Sequence, residues 1–83
     1  PPLSEERRME LAKLVSKRVE ERRVTLRNIR RDGVEKLRGL EKEKEISQDQ
    51  LKNAITQIQE ITDDCISKVN KVGQDKEKEI KEV

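Results

Sequence analysis

The stretch Ile46-Ser47-Gln48-Asp49-Gln50-Leu51 decides how this 83-residue chain folds. Ser47 followed three residues later by Gln50 makes a capping box, in which each side chain satisfies a backbone N–H of the other residue. Ile46 and Leu51 stand where a hydrophobic staple closes. A helix therefore starts here, and the question becomes what precedes it. Both prolines sit at positions 1 and 2, and the only glycines are Gly33, Gly39 and Gly73. Ser4 is a good N-cap, with Glu5 and Glu6 placed at the positive end of a helix. The spacing predicts a helix over about residues 4–42, a turn over about 43–46 and a helix over about 47–82. Each is on the order of 55–60 Å long at 1.5 Å per residue. So short a connection makes the two helices antiparallel neighbours.

Wheel positions support both helices. In the first, Leu11, Leu14, Val15, Val19, Leu26, Ile29, Leu37 and Leu40 gather on one stripe, and Gly33 falls within it. Gly33 weakens the helix but permits close approach of a neighbour. In the second, Leu51, Ile55, Ile58, Thr62, Cys65, Val69 and Val72 step by alternating fours and threes, a heptad-like seam interrupted at Lys76. Ile61, Ile66 and Ile80 are displaced from that seam. A lone hairpin buries little surface. The expected architecture is all-α: a long antiparallel hairpin forming two helices of a three-helix bundle whose remaining helix is absent. Self-association through the same seam is the alternative. The chain also opens on Pro1-Pro2 instead of Met, so a longer parent is expected.

Composition excludes several functions. Charged residues are 46% of the chain and apolar ones 30%, with no His and no aromatic residue. No apolar run has the length of a membrane span. With one Cys and no His, neither a zinc cluster nor a Cys/His nucleophile can be assembled. Asp63-Asp64 and the Glu41, Glu43, Glu45 alternation read as solvated charge, and no glycine-rich phosphate loop exists. No enzyme activity, cofactor or small-molecule substrate is expected.

The net charge of +2 conceals an asymmetry. Residues 1–40 hold twelve basic and seven acidic side chains, and residues 41–83 hold eight and eleven. Every arginine lies in the first helix. Arg22, Arg23, Arg27, Arg30 and Arg31 fall within ten residues that contain no acid. Arg23, Arg27, Arg31 and Arg38 share a wheel face opposite the apolar stripe, with Arg30 at its border. Arginine's planar fork binds phosphate through two parallel hydrogen bonds. Arg27 and Arg31 repel each other at i,i+4 spacing, which a polyanion relieves. A solvated charged face is the bland reading, but the clustering and the choice of Arg favour phosphate. Without aromatic residues to stack on bases, a structured RNA read through its backbone fits best.

Three segments then become decisive together: PPLSEERRMELAKLV at residues 1–15, VTLRNIRRDGVEKLRGLEKEKEIS at 24–47 and DKEKEI at 75–80. They closely resemble the C-terminal part of the ribosome recycling factors, and the resemblance spans essentially the whole chain. It implies a three-helix-bundle domain with a β-rich domain inserted between the bundle's first and second helices. This chain supplies the second and third. The implied function is binding of the post-termination ribosome on large-subunit rRNA and, with elongation factor G and GTP, splitting it into subunits. The arginines of the RNIRRD block, here Arg27, Arg30 and Arg31, become the implied rRNA contacts, with Asn28 beside them. Gly33 and Gly39 replace the better helix formers expected there.

The competing hypothesis is a structural coiled-coil hairpin that binds another protein through its seam. A basic helix on an anionic membrane is disfavoured, because the stripe is thin and already needed for packing. Bacteria, plastids and mitochondria all use recycling factors. The Lys/Glu-rich second helix with Cys65 leads to an expectation of a chloroplast stromal protein, with a bacterial cytoplasmic or mitochondrial one as the alternative.

Overall fold

The structure, a computed structural model, describes residues 3–82; the features read from Pro1 and Pro2 lie outside that range. Helix α1 runs Glu5–Lys42 and helix α2 runs Gln48–Glu82, packed antiparallel in a rod of 63 × 15 × 11 Å. Local chemistry accounts for both ends of each junction. Ser4 Oγ accepts from the Arg7 amide at 3.1 Å, capping α1. At the start of α2 the capping box is present in both directions. The Ser47 amide donates to Gln50 Oε1 at 2.8 Å, and the Gln50 amide donates to Ser47 Oγ at 3.0 Å.

Between them, α1 ends in a Schellman motif. The Lys44 amide reaches the Glu41 carbonyl at 2.9 Å, and the Glu45 amide reaches that of Leu40 at 2.9 Å. Lys44 itself has φ 60, the left-handed conformation that glycine adopts more readily. The turn is therefore closed entirely by hydrogen bonds between residues close in sequence.

Contact between the helices follows one narrow line. Among the described residues no apolar side chain is fully buried; only Thr62 and Gly73 are. Thr62 donates its hydroxyl to the Ile58 carbonyl at 2.7 Å, so its burial leaves no unmet donor. Val15, Val19, Leu26 and Leu37 meet α2 half-buried, as do Leu51, Ile55, Ile58 and Val69.

Several positions assigned to the stripe lie outside this line. Leu14, Ile29 and Leu40 are exposed, Ile29 at 63%. On α2 Val72 is 59% exposed while its neighbour Gly73 is buried. The reason is geometric. A straight α-helix drifts by about 20° per heptad from a 3.5-residue repeat, so the contact line slides off the a/d positions. It continues through Gly73, Glu77 and Ile80 instead of stopping at Lys76; both Glu77 and Ile80 are half-buried.

The glycine roles also move. A Cβ built on Gly73 would stand 2.7 Å from Val19 Cγ2, so Gly73 is the position that close approach requires. At Gly33 the nearest atom would be Ile58 Cδ1 at 3.4 Å, and at Gly39 nothing lies within 4 Å.

Candidate nucleic-acid interface

The basic residues of α1 divide by their distance round the helix from the contact line. Arg27, Arg31 and Arg38 fall within about 40° of one another at 100° per residue, pointing away from α2. All three are exposed, as is Asn28 beside them. Arg23 and Arg30 each follow a contact-line residue, Val19 and Leu26, by four positions. That places them about 40° from the line, and both are half-buried. Arg23 thus stands at the edge of the helix pair, not on the outward face where its wheel position alone had put it.

The two edge arginines reach across to α2. Arg23 Nε donates to Asn70 Oδ1 at 2.8 Å, while its Nη1 donates to Glu20 Oε2 at 3.0 Å. Arg30 Nη1 lies 3.5 Å from Gln59 Oε1, a weak contact. Neither Asn70 nor Gln59 was among the residues singled out from sequence. The available signal was a polar side chain next to a seam position, Asn70 after Val69 and Gln59 after Ile58.

Beyond the close Glu20–Arg23 pair, acids from outside the ten-residue basic stretch reach into it only loosely. Glu20 Oε1 is 3.9 Å from Arg27 Nη1, and Asp32 Oδ1 is 3.9 Å from Arg31 Nε. Those distances are too long for hydrogen bonds, and exposed pairs of this kind contribute at most about 1 kcal/mol. The donors of Arg27 and Arg31 therefore stay open to an incoming anion. Arg38 has no ion pair among the described residues. From Arg27 to Arg38 the open guanidinium row extends about 16 Å along the helix at 1.5 Å per residue. Such a row suits a chain of phosphates and offers nothing that transfers a proton or a group.

The opposite flank is apolar. Leu14, Val15, Val69 and Val72 line a groove of about 530 Å³ between the helices, and its rim carries Arg18, Arg22, Lys68 and Lys76. No helix among the described residues is long and apolar enough to cross a membrane.

Comparison with known proteins decides the family. The family model described as ribosome recycling factor matches residues 1–80. The chain belongs to the ribosome recycling factor family. The ribosome-recycling factor of Dehalococcoides mccartyi is 57% identical over 83 residues, all of this chain and 45% of that protein. That of Bacillus licheniformis is 51% identical over the same 83 residues. The Novosphingobium aromaticivorans protein is 51% identical over 80 residues, covering 96% of this chain and 43% of its own length. The chain thus spans a little under half the length of the recycling factors it matches. All three are bacterial, and none supports the plastid source expected from the second helix.

Proposed function

We propose that this chain is the helical, ribosome-docking part of a ribosome recycling factor, working in the cytoplasm of a bacterium. The open row of Arg27, Arg31 and Arg38, with Arg30 at its edge and Asn28 alongside, is the observation that carries the reading. It offers several positive forks on a rigid rod and no aromatic platform, which fits the phosphate backbone of folded large-subunit rRNA. With elongation factor G and GTP, the complete factor splits the post-termination ribosome into subunits. The chain's own part is mechanical: it grips RNA and transmits a push along two packed helices. No side chain here has to perform catalysis.

The apolar groove supports a three-helix bundle. Leu14 and Val72 are too exposed for a finished fold, and the groove runs lengthwise between the helices as a third helix would require. A helix from the rest of the factor fills it. The coiled-coil alternative uses the same groove for a foreign helix, and salt separates the two readings. Docking through phosphates weakens steeply with ionic strength, whereas apolar pairing changes far less.

The test uses a full-length family member carrying this 83-residue segment. Replacing Arg30 and Arg31 together by Glu abolishes co-sedimentation with isolated large subunits and leaves helicity nearly intact. Neutral replacement of one phosphate contact lowers the log–log salt slope by about one unit. Binding by the double Glu variant at wild-type affinity would remove the arginine row as the docking surface.

A further inference from the structure

We propose that Arg23 is a positioning residue: Asn70 of α2 holds it, and through Glu20 it sets the guanidinium of Arg27 for phosphate. This rests on the rRNA-docking reading above. Four side chains form one relay. Asn70 Oδ1 accepts from Arg23 Nε at 2.8 Å, Glu20 Oε2 accepts from Arg23 Nη1 at 3.0 Å, and Glu20 Oε1 stands 3.9 Å from Arg27 Nη1.

The two arginines in this relay are in opposite situations. Arg23 has two of its three nitrogens engaged, so neither edge of its fork keeps both nitrogens free for bidentate phosphate binding. Its side chain is 33% exposed. Arg27 is 49% exposed, and its pairing with Glu20 is too long to occupy a donor. Glu20, itself held by Arg23, biases where the Arg27 guanidinium sits by attraction at 3.9 Å without using up its hydrogen-bonding capacity. A restrained arginine loses less rotamer freedom when it meets phosphate, and its affinity is higher for that reason.

The anchor of the relay lies 47 residues away in sequence, on a helix that contains no arginine. The grip of α1 on RNA thereby depends on its packing against α2. The contact of Arg30 with Gln59 at 3.5 Å is a weak one to a neutral amide, without the charge that acts between Glu20 and Arg27.

Three variants of the full-length factor, Arg23→Gln, Asn70→Leu and Arg27→Gln, test this by titration against large subunits across salt concentrations, with thermal melting recorded in parallel. Arg23→Gln and Asn70→Leu should each weaken binding roughly two- to fivefold, the most that an exposed ion pair such as Glu20–Arg27 transmits, at unchanged salt slope. Arg27→Gln should lower the slope by about one. On the Arg27→Gln background the other two changes should have no further effect, since they act through Arg27. The proposal is overturned if Arg23→Gln itself lowers the slope by about one, which makes Arg23 a phosphate contact. It also falls if the Asn70→Leu effect persists in full without Arg27, or if the melting temperature drops while affinity stays. Should Arg27→Gln have no effect while the Arg30/Arg31 double Glu variant fails to bind, the relay is wrong and the docking surface stands. If that double variant binds normally, the docking reading itself fails.

Discussion

Two flanks of this hairpin are built by the same pair of helices and meet at one contact, Val19 against Gly73, yet they present opposite chemistry. On one side Leu14, Val69 and Val72 open a groove of about 530 Å³. On the other, Ser16, Arg23, Asn70 and Gln74 surround a cleft of about 250 Å³. The polar flank joins the helices through the Arg23–Asn70 hydrogen bond, and water satisfies its other polar groups. The apolar flank has no such means and gains stability when covered. Composition cannot distinguish them, because both helices are highly charged. What matters is which side of the contact line a side chain lies on.

The largest expected effect comes from putting charge into the apolar side. Val72→Asp should destabilise the full-length factor by about 3 kcal/mol, since a covered carboxylate without a partner is strongly disfavoured. The isolated hairpin, whose Val72 is already in water, should change little. Urea denaturation of the two proteins checks the difference, and equal sensitivity would mean that nothing covers the groove.

A smaller effect is expected at the dividing contact. Gly73→Ala pushes a methyl group to within 2.7 Å of Val19 Cγ2, and Val19 is β-branched with little rotamer freedom in a helix. Overpacking of this kind costs about 1–3 kcal/mol, measurable as a lowered denaturation midpoint. Pairing it with Val19→Ala should recover part of the loss; helix propensity alone would make Gly73→Ala stabilising.

The smallest effect has the opposite sign. Gly39→Ala meets nothing within 4 Å and should stabilise the hairpin by about 0.5–1 kcal/mol through helix propensity. An increase in helicity and melting temperature would mark Gly39 as a position free of contact, in contrast to Gly73. A loss there would place a neighbour where the hairpin shows open space.

What was legible in the sequence was local. The Ser47–Gln50 box and the Ser4 cap depend on residues three apart, so both could be read without knowing the fold. The RNIRRD block, the arginine clustering and the family resemblance were visible for the same reason. The contact line was not. Leu14, Ile29, Leu40 and Val72 have the right hydrophobicity and nearly the right phase, but the seam between two helices is narrower than the apolar stripe. Gly33 and Gly73 are both glycines with apolar neighbours, and only the distance between helices separates the spacer from the bystander. Arg23 looked like part of an outward row because its partner Asn70 lies in the other helix.

The turn has a kinetic consequence. Its hydrogen bonds span only residues 39–51, so little loop entropy opposes the first pairing of the helices. Pairing can then proceed like a zip, each turn of α1 bringing the next turn of α2 alongside, so every new contact closes only a short loop even where the partners lie far apart in sequence. The last teeth to engage lie near Met9 and Ile80, so under load that end separates first, while the arginine row, nearer the closed end, keeps its shape longest.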